Sequence, residues 1–135
     1  MNFATLIQEG EKMDCLFCKI ARHEVDSKIL YEDDKYMAFL DINQEEAEGH
    51  TLIIPKKHVK DYTMLDKGTL NDMFEIAQKL NQQLMTKLNK SACTLLFNYG
   101  DSQVIKHTHL HLLPNYLYEK GNKDIEEVYR ILKEA

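Results

Sequence analysis

The sequence predicts an α+β domain: an antiparallel sheet of about five strands, one long helix and short terminal helices. Three observations predict it. Short apolar runs bounded by turn-forming residues recur along the chain and read as strands. Between Leu70 and Leu88 a single apolar stripe returns at three- and four-residue intervals, the period of a helix packed by one face. The elements follow in the order strand–strand–strand–helix–strand–strand–helix.

Residues 1–13 are expected to form a flexible or weakly helical extension, and residues 14–135 a single domain. Asp14 is a candidate cap for a short helix over 15–22. Residues 28–32 and 36–40 read as two strands, with Asp33-Asp34-Lys35 as the turn between them. The polar, acidic stretch 44–49 is a loop. Thr51-Leu52-Ile53-Ile54 is nearly all apolar, as a strand buried on both faces would be, and Pro55 stops it. Thr69 with Asp72 three residues later resembles a capping box with Asp in place of Glu. After it, Leu70, Met73, Phe74, Ala77, Leu80, Leu84 and Leu88 form the apolar stripe, and Lys79, Gln82, Gln83 and Lys87 the polar face. Such a stripe is that of a core helix lying on a sheet. A strand over 93–98, a Gly100-Asp101-Ser102 loop and a strand over 106–114 follow. Asp124 then caps a short helix that turns Ile125, Val128, Ile131 and Leu132 inward.

Composition narrows the function classes. The chain has 135 residues, 44% hydrophobic and 29% charged, with a net charge of −5, so nothing favours nonspecific binding to nucleic acid or an anionic membrane. No apolar run approaches the roughly 20 residues needed to span a bilayer. Glu9, Glu11 and Asp14 lie where a secretion signal would need a basic start and an apolar core. The three cysteines, Cys15, Cys18 and Cys93, are too few and odd in number for a disulfide framework. A cytoplasmic location is the expectation. Cys93 reads as a buried small hydrophobe, and Cys15-x-x-Cys18 has metal-ligand or redox spacing that decides nothing alone.

The chemistry gathers in Lys106-His107-Thr108-His109-Leu110-His111-Leu112-Leu113-Pro114, which holds three of the six histidines. In a strand, alternation would put His107, His109 and His111 in a row on one face, with Cα atoms roughly 6.5–7 Å apart. Three imidazoles so arranged can hold a metal with an open position. They can equally supply a nucleophile flanked by groups that hold and protonate its substrate, or merely decorate a sheet edge. Spacing alone does not choose.

More of the chain chooses. His107-Thr-His109-Leu-His111-Leu-Leu resembles the alternating His/apolar signature of the histidine triad superfamily of nucleotide hydrolases and transferases, with Thr108 at a position usually apolar. Gly49-His50-Thr51-Leu52-Ile53-Ile54-Pro55-Lys56-Lys57-His58 resembles its second characteristic stretch. Leu16-Phe17-Cys18-Lys19-Ile20 and Ala38-Phe39-Leu40-Asp41-Ile42 resemble its nucleoside-pocket segments, and Asn98-x-Gly100 with Gln103 its phosphate loop. Order and spacing are most similar to the small branch of histidine triad nucleotide-binding proteins.

The resemblance implies a histidine-triad-like fold and a set of roles. His109 would attack the α-phosphorus of a nucleoside phosphoramidate or dinucleoside polyphosphate, giving a nucleotidyl-histidine that water hydrolyses. A hydrogen bond to the other ring nitrogen would fix its tautomer, and His50 is the candidate for that network. His111 would contact phosphate oxygens or assist the leaving group, and Asn98 and Gln103 would hold nonbridging oxygens. Asp41 would bind the ribose hydroxyls of a purine nucleotide, with Phe17, Ile20, Phe39 and Ile42 around the base. Cys15, Cys18, His58 and His107 would bind a structural zinc, with His107 orienting its neighbour and no cofactor needed for the chemistry. The family further implies a homodimer joined side by side through the sheets. Some positions depart from the pattern. The 98–103 loop is about two residues short, Val104 stands where some members have serine or threonine, and Asn115 replaces a frequent arginine. Two other readings stay open: a nucleotide-binding interaction protein with little turnover, and a zinc-binding structural protein whose triad serves the metal alone.

Overall fold

Strands β1 (Ile29–Glu32), β2 (Tyr36–Leu40), β3 (Thr51–Pro55), β4 (Cys93–Phe97) and β5 (Leu110–Pro114) form one antiparallel sheet in the computed structural model, which describes residues 15–134. Their spatial order is β1-β2-β3-β5-β4. The helices are α1 (Leu16–Ala21), α2 (Lys67–Leu88) and α3 (Ile125–Lys133). This is the expected α+β architecture. The expected extension over residues 1–13 and the expected cap Asp14 lie outside the described residues.

The two-residue period of the strands builds two cores. Ala38, Leu40 and Ile53 face α2, where Met73, Ile76, Ala77, Leu80 and Leu84 cover them, with Val128 and Leu132 of α3 beside. Met37, Phe39, Leu52 and Ile54 point the other way, onto Phe17 and Ile20 of α1. Every residue of β2 and β3 is therefore buried, as their unbroken apolar runs require. Each fully buried Leu, Ile or Phe is worth about 1.5–3 kcal/mol. Gly49 enters β3 at φ +89°, where a Cβ would lie 2.6 Å from a Leu88 methyl, so a larger residue there meets both strain and a clash.

Several boundaries differ from expectation, each for a physical reason. Helix α2 starts three residues early: Asp66, not Thr69, is the cap, its Oδ1 accepting the Thr69 N–H at 2.7 Å. Asp72 instead accepts the Tyr36 hydroxyl at 2.7 Å and ties the helix to β2. Ile76 joins the buried stripe while Phe74 turns to the flank, against Phe97 at 6.3 Å. The helix ends at Asn89, which adopts the left-handed conformation (φ 55°) open to asparagine. Helix α1 is capped by Cys15, whose Sγ accepts the Cys18 N–H at 3.3 Å. Cys93 is only half-buried, being the first residue of edge strand β4, and Ile125 and Ile131 are half-buried. Strand β5 begins at Leu110, not at Lys106. Its partner β3 ends at Pro55, which has no N–H to donate, and the Thr108 N–H turns to the Val59 carbonyl at 2.7 Å. Only His111 of the three histidines is therefore in the ladder. Among the described residues no helix is long and apolar enough to cross a membrane.

Candidate active site and metal group

His107, at the end of a bend, and His109 sit on the segment leading into β5, and His111 is the second residue of that strand. The alternation survives the shortened strand: the His109 and His111 rings lie 4.7 Å apart, centroid to centroid. Thr108, between His107 and His109, is buried. His50, the residue before β3, joins from the neighbouring strand, since Leu52 pairs with His111 across the ladder. His50 Nε2 lies 2.9 Å from His111 Nδ1.

The hydrogen bonds assign protons. His109 Nδ1 is 2.8 Å from its own segment's His107 carbonyl. A carbonyl only accepts, so Nδ1 carries the hydrogen and Nε2 keeps its lone pair. Asn98 Nδ2 donates to His111 Nε2 at 3.2 Å. That leaves the His111 hydrogen on Nδ1, donating to His50 Nε2, and puts the His50 hydrogen on Nδ1, 4.0 Å from Asp41 Oδ2. The network thus differs from expectation in one respect. His109 is oriented by a backbone carbonyl, and His50 orients His111. Burial pushes all four imidazoles below the ordinary histidine value, His107 to about 4 and His111 to about 3. For His109 burial outweighs the opposing pull of the His107 carbonyl and the Asp41 charge, and for His50 it outweighs Asp41 and Glu46. The site is therefore a neutral cluster near pH 7, which suits nucleophilic nitrogen.

His109, His111, Asn98 and Asp41 open onto a cavity of about 750 Å³. Its apolar wall includes Phe17, Ile20, Phe39 and Ile42, so all four expected base-pocket residues reach it. Phe17 stands edge-on to Phe39 (5.5 Å) and to His109 (5.0 Å). Ile42 is 88% exposed and forms part of the mouth rather than the core. Gln103 is not brought in: it is buried with its amide on the Lys60 carbonyl, and the exposed Val104 faces the cavity beside Ile105. Asn115 is a turn residue at φ 50° whose Oδ1 accepts the Ser91 and Ala92 N–H groups, away from the cavity. The sequence reading missed Lys28, Ile125 and Glu126, which line the far end. For Ile125 and Glu126 the only signal was the amphipathic pattern of the last helix, which says that it packs but not where, and Lys28 had none.

Behind Phe17, Cys15, Cys18, His58 and His107 bring four donor atoms within 4.8 Å of one another. Cys15 Sγ and Cys18 Sγ lie 3.3 and 3.5 Å from His107 Nδ1, and Cys18 Sγ lies 3.3 Å from His58 Nδ1. Ligand atoms of a tetrahedral zinc with Zn–S near 2.3 Å and Zn–N near 2.0–2.1 Å are roughly 3.3–3.8 Å apart, so the donor set fits. His107 Nε2 is 2.7 Å from the Pro55 carbonyl, so its hydrogen is there and Nδ1 is left as the donor to a metal. Cys93 is not part of this group, and neither are His109 and His111.

The histidine triad (HIT) domain model matches residues 22–117. An uncharacterized HIT-like protein of Methanocaldococcus jannaschii is 33% identical over 129 residues, covering 88% of this chain and 98% of its own length. The crystal structure of a hypothetical histidine triad nucleotide-binding protein from Sulfolobus tokodaii superposes with a TM-score of 0.77 at 32% identity, covering 87% of this chain and 86% of that one. A zinc-bound histidine triad family protein from Mycobacterium smegmatis gives 0.80 at 30% identity, covering 90% and 92%. With its neutral histidine row at the mouth of an apolar cavity, this chain belongs to the histidine triad family.

Proposed function

We propose that the protein is a nucleotide hydrolase or nucleotidyl transferase that acts at the α-phosphate of nucleoside phosphoramidates or dinucleoside polyphosphates. The observation that carries this is the tautomer of His109: its Nδ1–H is taken by the His107 carbonyl, leaving a bare Nε2 at the cavity. In the first step Nε2 bonds to phosphorus as the bond to the leaving amine, which takes a proton from solvent, or to the leaving nucleotide phosphate breaks. The histidine keeps its Nδ1–H, shared with the carbonyl, while it carries the nucleotidyl group. Water then attacks phosphorus, expels the imidazole, gives up a proton to solvent and restores neutral His109. His111, held by His50 and Asn98, borders the phosphate and the leaving group. Asp41 takes the ribose hydroxyls of a purine nucleotide, and Phe17, Ile20, Phe39 and Ile42 surround the base.

Zinc is the cofactor that Cys15, Cys18, His58 and His107 would hold, in a closed four-ligand set that leaves no position for substrate. Its contribution would be structural, fixing α1 and the segment ahead of His109. That His107 alone of the triad belongs to the metal group weighs against a triad serving metal only. A homodimer is the proposed assembly: β4 is an edge strand, and exposed Leu95, Tyr62, Phe74 and Tyr99 lie on or beside it.

The test is incubation with an adenosine or guanosine phosphoramidate, quenched in denaturant and weighed by mass spectrometry. A nucleotidyl adduct on the wild type and none on His109→Ala is the expected result. Nucleotide binding without adduct or turnover would instead favour the interaction-protein reading, for which the turned-away Gln103 and apolar Val104 are the specific support.

A further inference from the structure

We propose that Lys28 and Glu126 read the outer edge of the base and favour guanine over adenine, an inference that rests on the nucleotide reading above. The cavity has two polar ends. One is the histidine end, on β5 and the neighbouring start of β3. The other holds Lys28, the residue before β1, and Glu126, in the first turn of α3. From β5 to β1 is three strand spacings in the order β1-β2-β3-β5-β4, about 14 Å. Asp41, which follows β2, lies between these ends, and Phe17 and Phe39 supply the apolar wall. A nucleotide with its phosphate at His109 and ribose at Asp41 therefore extends its base toward Lys28 and Glu126. Those two side chains meet each other at 3.0 Å.

The far end is built rather than incidental. The buried Glu48 carboxylate accepts the Asn122 and Lys123 N–H groups at 2.6 and 3.2 Å and pairs with Lys90 at 3.2 Å. The Gly121 N–H bonds the Glu45 carbonyl at 2.7 Å, and a Cβ on Gly121 would lie 2.0 Å from the Gln44 carbonyl oxygen, so only glycine passes there. Asp124 then caps α3 through the Glu127 N–H at 2.9 Å. Together these fix the first turn of α3, and with it Glu126, at the cavity rim.

Lysine offers only donors and a carboxylate only acceptors. Along its outer edge guanine presents O6, an acceptor, then N1–H and N2–H, two donors. Lys28 can donate to O6 while the two Glu126 oxygens accept from N1–H and N2–H, and the base enters the ion pair with both charges still satisfied. Adenine presents N6–H and the N1 acceptor, which gives one bond to each side chain. Guanine gains one further charge-assisted bond. At a rim where the Glu126 side chain is 71% exposed, that bond is worth about tenfold in affinity.

Isothermal titration of the wild type, Glu126→Gln and Lys28→Met with GMP, IMP and AMP tests this. The wild type is expected to bind GMP about tenfold more tightly than AMP. IMP, which keeps O6 and N1–H but lacks the 2-amino group, makes the same number of bonds as AMP and should bind about as AMP does, a comparison that needs no mutant to fold. Glu126→Gln, whose amide has a single acceptor oxygen, should narrow the GMP–AMP gap by weakening GMP, whereas Lys28→Met, which removes one bond from each base, should weaken GMP and AMP alike. Equal affinity for GMP and AMP on the wild type, or a preference that survives Glu126→Gln, overturns the inference and leaves the nucleotide reading standing. Failure of all three nucleotides to bind the wild type overturns both.

Discussion

In the proposed mechanism two local facts suit His109 to be the nucleophile: a backbone carbonyl takes its Nδ1–H, and burial holds it neutral. Because the orienting group is backbone, no side-chain replacement at His50 releases it. His50→Ala should therefore still form the nucleotidyl adduct, at a rate reduced about 10- to 100-fold through the lost support of His111, whereas His109→Ala forms none. Single-turnover adduct kinetics distinguish the two, and an adduct-free His50→Ala would show that the network runs otherwise. Phe17 is a second residue with two roles, packed in the α1 core and edge-on to His109. Phe17→Ala should cost about 3–5 kcal/mol of stability, read by urea denaturation, and weaken nucleotide binding in the surviving folded fraction.

Helix α2 depends on its first turn, and there the structure chooses Asp66 over Thr69. Asp66→Ala should cost about 1 kcal/mol by loss of the cap; a loss below the error of a urea melt would return the cap to Thr69. Helix α1 is too short to hold itself, at six residues, and its N-terminal half is fastened to other elements by Cys15 and Cys18. Cys15→Ser should therefore abolish zinc measured by atomic absorption and lower the melting temperature, while His109→Ala retains the metal. Zinc lost from His109→Ala would merge the two sites and sink the division of labour between His107 and His109.

Over the whole molecule, the chain after β5 is locked to the loop before β3 by Glu48. Burial pushes that carboxyl up, but the Asn122 N–H and the Lys90 and Lys123 charges overcome it and hold it below the usual glutamate value. A depressed folded-state pKa means that the ionised form is favoured by folding. Its contribution is complete above the unfolded value of about 4.5 and is lost as pH falls through the lower folded value. Glu48→Gln should thus be less stable than wild type by about 2–3 kcal/mol at pH 7, and the gap should shrink below pH 4.5. A pH-independent gap in urea midpoints would assign the effect to packing alone. The same lock holds Glu126 at the rim, so one buried carboxylate connects the stability of the fold to the far end of the cavity.

Much of this was legible in the sequence, because it is local or periodic. The period-2 runs of β2 and β3, the stripe of α2 and the cap Asp124 each follow from chain geometry within a few residues. The alternating histidines, with the Gly49–His58 stretch and Cys15-x-x-Cys18, were enough to name the family and four donors that do converge. What the sequence could not decide were competitions between equivalent partners far apart in the chain. Asp66 and Thr69 are both good caps, and packing picks one. His50 could serve His109 or His111, and strand register, Leu52 opposite His111, gives it to His111. Gln103 could face a phosphate or a carbonyl, and the fold brings the Lys60 carbonyl to it. Lys28 and Glu126, 98 residues apart, meet only because a glycine and a buried carboxylate steer the last helix back to the first strand. Local geometry is written in neighbouring residues, whereas the choice among distant hydrogen-bond partners belongs to the tertiary structure that sets their distances.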